Sequence, residues 1–215
     1  MRQARQPFVS FEGDEASGKS LQAQRLATAL RERGLEVIAV REPGGTPAGE
    51  RIREIVLHAR EAALTSEAQA LLFSAARAQL VAEVIRPGLD RGAVVIADRY
   101  FDSTLAYQGG AGGADIEGLR ALTRFAVGST VPDRTFLLDV PLDVIEARSR
   151  ARSIDRRWDR FEAEKRDFHE RLREAYLRLA AAEPWRFVVI RGDRSADEIA
   201  AQIRREVDTL LVTPA

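Results

Sequence analysis

Short apolar runs alternate along this chain with longer segments in which apolar residues recur at helical spacing. The short runs are typical of buried strands and cover residues 8–11, 37–40, 94–97, 136–138 and 187–190. The longer segments predict helices over residues 19–33, 47–59, 65–86, 115–127, 142–152, 160–182 and 195–211. Strands that alternate with helices indicate βαβ units. We therefore expect an α/β fold of three layers, in which helices flank a five-stranded parallel sheet on both faces.

Local signals mark several boundaries of these elements. Gly34 follows the first predicted helix and fits the C-cap position. Ser195, with Glu198 three residues later, has the pattern of a capping box at the start of the last helix. The Gly-rich stretch 108–114 predicts a loop. The length of 215 residues, without an internal repeat or a low-complexity linker, predicts a single domain over residues 1–215.

The composition excludes several classes of protein and site. Thirty-three basic residues balance thirty-three acidic ones, which argues against a dedicated nucleic-acid binder. The absence of cysteine excludes disulfides, cysteine zinc sites, iron–sulfur clusters and thiol nucleophiles. The longest stretch without a charged residue is the twelve residues from Ser103 to Ala114, too short to span a membrane. No apolar segment follows the basic N-terminus as in a signal peptide, so we expect a cytoplasmic protein.

The segment Gly13–Ser20, GDEASGKS, fits the P-loop pattern G-x-x-x-x-G-K-[ST]. Its glycines allow successive backbone N–H groups to point at phosphate oxygens at the N-terminus of a helix. Lys19 would then reach the β- and γ-phosphates, and the hydroxyl of Ser20 would bind Mg²⁺. The motif follows a predicted strand and opens a predicted helix, as this chemistry requires. A chance Gly-rich turn is the alternative, but Lys19 is one of only two lysines in the chain.

Asp98 ends the third predicted strand, where a P-loop protein needs a second oxygen ligand for its metal. Ser20 and Asp98 therefore form the predicted metal site. Arg99 follows at once and is expected to contact a phosphate. The alternative for Asp98 is a helix N-cap.

Phosphate binding alone does not separate a kinase from a nucleotide-dependent switch. A guanine-specific switch normally carries an N-K-x-D element, and this chain contains no asparagine. A small-molecule kinase of this size needs an acceptor pocket and a lid that excludes water from the transferring group. The Arg-rich segment of residues 148–160, with six arginines against two aspartates, is the candidate lid.

Further motifs follow the P-loop in a fixed order. They read REPGGT at residues 41–46, FSAAR at 73–77, DRYFDSTLAYQ at 98–108 and DRFE at 159–162. With the FEG that leads into the P-loop, they resemble the thymidylate kinase family of P-loop nucleoside monophosphate kinases. The resemblance extends from Phe8 to about Leu211.

This resemblance implies a P-loop kinase fold that transfers the γ-phosphoryl group of ATP to dTMP, with Mg²⁺, and forms dTDP for dTTP biosynthesis. The implied partners are dTMP, ATP and a second copy of the chain in a homodimer, and neither nucleic acid nor a membrane. The residues alone leave two alternatives open. One is a kinase for another nucleoside monophosphate or a small hydroxy acid, and the other is a nucleotide-binding module that regulates a partner without turnover.

The resemblance also implies roles for individual residues. ATP would be bound by Gly13, Asp14, Glu15, Ala16, Ser17, Gly18, Lys19 and Ser20. The acceptor dTMP would be bound by Glu12, Pro43, Arg53, Phe73, Arg77, Arg99, Ser103, Thr104, Tyr107 and Gln108. The implied catalytic set is Lys19, Glu12, Arg99, Arg148, Arg150 and Arg152.

At the base and sugar, Phe73 would stack on the thymine ring, with a core aromatic as the alternative. Arg77 lies one helical turn further on and would hydrogen-bond the base edge, with a solvated arginine as the alternative. Ser103 and Thr104 would lie near the base. Tyr107 would lie under the sugar, where the family disfavours a ribose 2′-hydroxyl.

At the phosphate end, Arg99 would hold the acceptor phosphate with two hydrogen bonds. Arg53 would contact the same phosphate, with a surface position as the alternative. The bond before Pro43 is usually cis in the family, although only about 5% of X-Pro bonds are cis in general. Glu12 would contact the sugar or the metal shell, and Gln108 would lie nearby.

The lid and the P-loop together determine where the catalytic arginines are expected. Family members without a basic residue in the variable part of the P-loop place them on the lid. Helical spacing puts Arg148 and Arg152 on one face and Arg150 on another, and the choice among the three stays open.

Two P-loop positions depart from the family pattern. Ala16 stands where glycine is frequent, which restricts φ without forbidding the loop. Asp14 stands where an apolar residue is common, and we expect its carboxylate to point to solvent. Both departures would weaken ATP binding.

Overall fold

Five parallel strands form the centre of the protein. The computed structural model describes residues 6–58, 64–152 and 166–211. The strands pair in the order β2-β3-β1-β4-β5. Their bounds are β1 Phe8–Glu12, β2 Val37–Arg41, β3 Val94–Asp98, β4 Arg134–Asp139 and β5 Phe187–Arg191. All four pairings are parallel, which confirms the predicted sheet and the position of each strand.

Helices connect the strands and cover the sheet. They are α1 Lys19–Glu32, α2 Pro47–His58, α3 Ser66–Leu80, α4 Arg86–Asp90, α5 Phe101–Thr104, α6 Ile116–Val127, α7 Leu142–Arg152, α8 Arg166–Ala182 and α9 Ala196–Asp208. A π-helical turn, Val81–Ile85, joins α3 to α4, and a second one, Leu105–Ala111, follows α5. Residues 160–165 of the helix predicted over 160–182 lie outside the described part of the chain.

Two apolar clusters bury the two faces of the sheet. On one face, Phe11 of β1 and Ile96 of β3 pack with apolar residues of α1 and α9. On the other, Phe8 packs with apolar residues of α3, α8 and the π-helical turns, among them Leu80 and Leu172. Burial of both faces explains why the strands read as nearly continuous apolar runs. The three predicted layers are thus confirmed.

The predicted helix boundaries at Gly34 and Ser195 are both confirmed. Gly34 follows α1 with φ +82° and donates its N–H to the carbonyl of Arg31. Ser195 accepts a hydrogen bond from the N–H of Glu198, whose side chain in turn accepts one from the N–H of Ser195. Both contacts satisfy backbone groups that a helix end leaves without a partner.

The loop predicted over residues 108–114 is wrong in its first half, because the chain there is π-helical. Gly110 serves close packing rather than a turn. A Cβ on Gly110 would lie 2.2 Å from the Cβ of Ala175 on α8, so only glycine lets the two backbones approach this closely. The same π-helical turn carries Tyr107 and Gln108.

One helical stretch, Ser66–Asp90, is long and apolar enough to cross a membrane by length and composition alone. No membrane span was predicted from the sequence. Of its most apolar window, 44% is buried inside the protein, and Arg77 in its middle is buried with an acidic partner. Core helices of soluble proteins meet the same criterion, so the observation is weak evidence for a membrane span.

A buried ion pair fixes the segment after β3 to the neighbouring strands. Two nitrogens of Arg186 donate to the two carboxylate oxygens of Asp102, each at 2.7 Å. Asp102 is completely buried, and the guanidinium also lies over the rings of Phe101 and Phe187. Because Asp102 belongs to α5, this pair positions the helix that carries Ser103 and Thr104.

Replacement of Arg186 by Met is expected to lower the free energy of unfolding by about 3–5 kcal/mol, because Asp102 then stays buried without its partner. The double variant Arg186→Met/Asp102→Leu should recover most of this loss, since no buried charge remains. Urea unfolding of the three proteins measures both effects. An equal loss in the single and double variants would show that the charge pair is not the cause.

Candidate active site

A cleft of about 330 Å³ opens at the carboxyl ends of the central strands, beside the P-loop. This is where open parallel sheets bind their ligands. Predicted residues that line it are Glu15, Ala16, Gly18, Lys19, Ser20, Pro43, Arg53, Phe73, Arg77, Asp98, Arg99, Ser103, Thr104, Tyr107 and Gln108. The fold therefore brings together predicted residues from the P-loop, β3, the loop after β2, the helices α2, α3 and α5, and the second π-helical turn.

The first glycine of the P-loop is required by its surroundings. Gly13 has φ +137°, and a Cβ there would lie 2.7 Å from the carbonyl oxygen of Leu138. The chain can therefore leave β1 and turn past β4 only with glycine at this position. The turn brings Lys19 to the first position of α1, next to the cleft.

Lys19 folds back over the P-loop. Its Nζ donates to the carbonyl of Asp14 at 2.6 Å and to the hydroxyl of Ser17 at 3.3 Å. Only 5% of the residue is exposed. Burial, and then the nearby charge of Arg99, lower the pKa of Lys19, while Glu15, Asp98 and Asp14 oppose this shift. The ammonium group is thus desolvated where a phosphate would stabilise its charge.

The two unusual P-loop positions have clear structural consequences. Ala16 has φ +55°, the left-handed conformation that an alanine adopts only at a cost. The prediction that Asp14 points to solvent is wrong, because this residue is only 8% exposed. Its two carboxylate oxygens lie 2.9 and 3.0 Å from Nδ1 of His169 on α8. Asp14 therefore links the P-loop to the helix that follows the lid.

Ser20 and Asp98 meet as predicted for a metal site. The hydroxyl of Ser20 donates to a carboxylate oxygen of Asp98 at 2.5 Å, and both residues line the cleft. Asp98 ends β3, and the N-cap of α5 is Tyr100, so the alternative of a helix cap does not hold. One hydroxyl and one carboxylate fit Mg²⁺, which binds few protein oxygens and keeps water or phosphate as its other ligands. Within the described ranges, no cluster of three or more Asp, Glu or His could hold a metal by itself.

Arg99 lies at the centre of the site with a strained backbone. Its φ is +70°, and its N–H donates to the carbonyl of Phe11 at 3.0 Å. This conformation turns the side chain from the end of β3 toward the P-loop. The guanidinium donates to the carbonyl of Gly13 at 3.0 Å, forms an ion pair with Glu15 and lies over the ring of Tyr107, 5.0 Å from its centroid. Such strain is typical of residues held for a function.

The charge of Arg99 is maintained by its neighbours. Burial disfavours the charged form of Arg99. Glu15 and other surrounding groups outweigh burial and raise the pKa of Arg99 well above its usual range. Buried Lys19 and partly buried Arg99 are therefore two cations close enough for the charge of Arg99 to lower the pKa of Lys19. The only strong ion pair of Arg99 among the described residues is with Glu15, so an anion that enters the cleft has two positive groups to bind.

Glu12 lies beneath this centre and does not line the cleft. It is completely buried. One carboxylate oxygen accepts from the N–H of Tyr100 at 2.7 Å, and the other accepts from the hydroxyls of Ser103 at 2.6 Å and Tyr176 at 2.9 Å. Burial, and then the charge of Asp102, raise the pKa of Glu12 to about 7. In this structure Glu12 positions its neighbours, and its predicted contact with substrate or metal stays a prediction.

Arg77 is almost fully buried, and the alternative of a solvated arginine does not hold. Its Nε donates to Glu42 at 2.7 Å, and Nη2 donates to the hydroxyl of Thr104 at 3.1 Å. Its Nη1 is buried without a hydrogen-bond partner in the described part of the chain. Phe73, one turn earlier on α3, lines the same cleft. A flat apolar ring and a free donor thus face one end of the cleft together.

The other residues predicted to bind dTMP on this side also line the cleft. The bond between Glu42 and Pro43 is cis, as the family resemblance implies. Arg53 donates to the carbonyl of Pro43 at 3.0 Å. Gln108 is 2% exposed, and its amide nitrogen donates to Gln69 on α3 at 3.1 Å.

The side chains of two candidate lid arginines, Arg148 and Arg150, point in different directions. Arg148 donates to the carbonyl of Ser17 in the P-loop at 3.5 Å and to that of Gly192 at 2.9 Å. Arg150 is exposed and donates to the carbonyl of Glu146 on its own helix. Neither lines the cleft described above. The side chain of Arg152 and residues 153–165, which include the DRFE motif, lie outside the described residues.

Sequence reasoning missed several residues of the site. Those in the cleft are Leu21, Arg41, Glu42, Leu57 and Tyr100. Tyr176 and His169, both on α8, contact the carboxylates of Glu12 and Asp14, respectively. A weak signal was available, because the chain has only three tyrosines and all of them surround Arg99 and Glu12. Tyr107 was predicted as a site residue, Tyr100 stands in the same motif without a predicted role, and Tyr176 stands in an ordinary amphipathic helix.

The P-loop, the two-oxygen metal position and the facing arginines define a P-loop phosphotransferase. A family model for thymidylate kinase matches residues 11–203. The chain is 47% identical over 208 residues to a thymidylate kinase from Clavibacter michiganensis, covering 97% of each chain. It is 49% identical over 201 residues to one from Leifsonia xyli, covering 94% of each.

A solved structure agrees with these sequence relatives. The crystal structure of thymidylate kinase from Ehrlichia chaffeensis superposes with a TM-score of 0.77 at 28% identity, covering 95% of this chain and 99% of that one. The chain therefore belongs to the thymidylate kinase family, the nucleoside monophosphate kinases that convert dTMP to dTDP with ATP as phosphoryl donor. This confirms the family, the fold and the reaction that the motifs implied.

The raised pKa of Glu12 makes stability depend on pH in a defined direction. The folded protein binds this proton up to about pH 7, whereas the unfolded chain releases it near 4.5. The stability from protonated Glu12 is therefore fully present below pH 4.5 and is lost as pH rises to about 7. Glu12→Gln carries no such proton. Over this window the free energy of unfolding of the wild type should fall relative to the variant by about 3 kcal/mol.

Urea unfolding of both proteins at several pH values tests this expectation. Two curves that run parallel between pH 4.5 and 7 would show that Glu12 titrates normally despite its burial.

Proposed function

We propose that one cleft holds both nucleotides of the dTMP kinase reaction, with ATP on the P-loop and dTMP between Arg99 and α3. The observation that supports this most directly is that Lys19 and Arg99 line the same cleft, close enough for the charge of Arg99 to lower the pKa of Lys19. The γ-phosphoryl group would pass between them from ATP to the 5′-phosphate of dTMP. Such transfer requires mainly alignment and neutralised charge.

On the donor side, backbone N–H groups of the P-loop would hold the β- and γ-phosphates, and Lys19 would exchange its internal carbonyl partner for a phosphate oxygen. Ser20 and Asp98 would hold Mg²⁺ with oxygens of ATP. When bound, the metal supplies positive charge to the phosphate oxygens. The exchange at Lys19 is favourable because an anion restores the charge stabilisation that burial removed.

On the acceptor side, Glu15 occupies the place that a phosphate would take on Arg99. Both are anions that match the planar guanidinium. Binding of dTMP would release Glu15 from Arg99 and replace a carboxylate by a doubly charged phosphate. Arg53 lines the same cleft from α2 and would add a third positive group.

At the other end of the cleft, Phe73 and Arg77 would receive the base. The ring of Phe73 offers a face for stacking. Nη1 of Arg77 has no partner among the described residues, and Glu42 and Thr104 hold its other nitrogens in place. This fixed donor would bind a carbonyl oxygen at the base edge, and Tyr107 would lie along the sugar.

Arg148 is the lid arginine that this structure favours for catalysis. Its guanidinium already contacts the P-loop at the carbonyl of Ser17, whereas that of Arg150 donates to a carbonyl of its own helix. A rotation of the Arg148 side chain would bring its charge to the transferring group, where positive charge stabilises the transition state. Arg152 shares its helical face and would be the second candidate.

We further propose a cytoplasmic homodimer without nucleic-acid or membrane partners. The balanced charge of the chain supports the absence of nucleic acid. Leu71 on α3 and Phe125 on α6 are 59% and 89% exposed, respectively. Apolar side chains this exposed on neighbouring helices are suited to an interface.

A coupled assay of ADP release with dTMP, dUMP, dCMP and AMP tests the proposed function. Acceptor-dependent ADP release that is strongest with dTMP is expected. Release with another acceptor only would assign the chain to a different monophosphate kinase. No acceptor-dependent release would leave a nucleotide-binding module.

Lys19→Ala is expected to lower kcat by a factor on the order of 10² or more, because the lost group neutralises charge on the transferring phosphoryl group. Its free energy of unfolding should stay at or above that of the wild type, because a desolvated charge is removed. Steady-state kinetics and urea unfolding measure the two quantities. Full activity in the folded variant would contradict the role of the P-loop lysine.

Arg148→Ala should lower kcat by a factor on the order of 10², with little change in the KM of either substrate, since its contact forms late in the reaction. Arg150→Ala is the matched control on the same helix and should keep a kcat close to that of the wild type. Equal kcat values for both variants would show that the direction of Arg148 in this structure has no catalytic meaning.

A further inference from the structure

A pair of buried glutamines connects α3 to the acceptor cleft. Gln69, Phe73 and Arg77 follow one another at intervals of four residues on α3 and therefore share one face of the helix. Phe73 and Arg77 line the cleft, and Gln69 lies one turn before them, 7% exposed. Gln69 does not line the cleft, but it contacts Gln108, which does.

Each glutamine of this pair donates a hydrogen bond to the group that orients it. The amide nitrogen of Gln69 donates to the carbonyl of Leu64 at 3.0 Å. Its amide oxygen accepts from the amide nitrogen of Gln108 at 3.1 Å. A glutamine amide has a donating and an accepting end, so the backbone carbonyl of Leu64 orients Gln69, and Gln69 in turn orients Gln108.

The orientation of Gln108 decides which atom remains for a ligand. One N–H of its amide donates to Gln69, and its carbonyl oxygen accepts no hydrogen bond from the described residues, so this oxygen is available to a ligand. A carbonyl oxygen accepts hydrogen bonds and cannot donate them. If the amide were reversed, the same position would offer a donor instead.

This difference bears on the choice of pyrimidine. Thymine and uracil carry a donor, N3–H, at the middle of their pairing edge, whereas cytosine carries an acceptor at the same atom. A fixed acceptor from Gln108 would therefore suit thymine and uracil and would meet cytosine acceptor to acceptor. A mismatch of this kind costs more than an absent hydrogen bond because both groups lose their water.

We infer that Gln69 is a positioning residue for base specificity, which holds the amide of Gln108 with its oxygen toward the acceptor base. This inference rests on the proposed placement of dTMP in the cleft. It assigns to a residue that touches no substrate the task of excluding cytosine nucleotides. Specificity then depends on a two-step chain of hydrogen bonds that begins at a backbone carbonyl.

The test compares Gln69→Met with Gln69→Glu. Methionine keeps the length of the side chain but offers Gln108 no acceptor of comparable strength, so the amide can reverse. Glutamate, protonated at this buried position, can donate its hydroxyl to the carbonyl of Leu64 and offer its other oxygen to Gln108, so it should preserve the orientation. Gln22→Met is the matched control, because Gln22 is also buried, donates to the carbonyl of Ala196 and does not line the cleft.

The readout is the ratio of kcat/KM for dTMP to that for dCMP. Gln69→Met should lower this ratio about tenfold or more, while Gln69→Glu and Gln22→Met keep values close to that of the wild type. The ratio for dTMP to dUMP should stay unchanged in all variants, because both bases carry N3–H. A general loss of packing would not separate these two ratios.

A double-mutant cycle with Gln108→Ala completes the test. In that background Gln69→Met should have no further effect on the dTMP-to-dCMP ratio. An unchanged ratio in folded Gln69→Met, or the same loss without Gln108, would overturn the inference. Gln69→Leu is the second variant if Gln69→Met does not fold. A wild type that fails to prefer dTMP over dCMP would overturn the proposed placement of the base itself, and the inference with it.

Discussion

The site depends on two positive charges held largely out of water, those of buried Lys19 and partly buried Arg99. Burial and the charge of Arg99 lower the pKa of Lys19, whereas Glu15 and neighbouring groups maintain the charge of Arg99 against burial. Without a ligand, the protein satisfies them internally, with the carbonyl of Asp14 and the carboxylate of Glu15. In the proposed function, phosphates would replace these partners and bring more negative charge, so the arrangement that costs stability would prepare the site for two nucleotides.

The fold keeps these charges in place through backbone constraints and buried polar contacts. Gly13 allows the turn from β1 that presents Lys19, and the left-handed backbone of Arg99 directs its side chain across that turn. Glu12 holds the start of α5 from below through Tyr100 and Ser103. The Asp102–Arg186 pair anchors the same helix from the far side. Strain at the centre is thus supported by ordered surroundings, as preorganised sites require.

The sequence was sufficient for features with local signals. The strands are uninterrupted apolar runs, the P-loop is a contiguous motif, and the lining residues belong to motifs that the family shares. What it could not show are contacts between distant segments. Asp14 reads as an exposed acid until His169, 155 residues later, is seen beside it. Gly110 reads as part of a loop until its contact with α8 is known. Tyr176 and Gln69 stand in ordinary helical patterns, and only tertiary packing gives them roles.

The most direct test of this account is whether Arg99 recognises the acceptor phosphate. Calorimetry should compare dTMP and thymidine, which lacks the phosphate, on the wild type and on Arg99→Met. Loss of a buried charge contact costs about 2 kcal/mol or more, so the variant should bind dTMP about thirtyfold more weakly or worse. Its affinity for thymidine should match that of the wild type. Equal weakening of dTMP and thymidine, or of neither, would contradict the claim that the buried cations of this site are arranged for two phosphates.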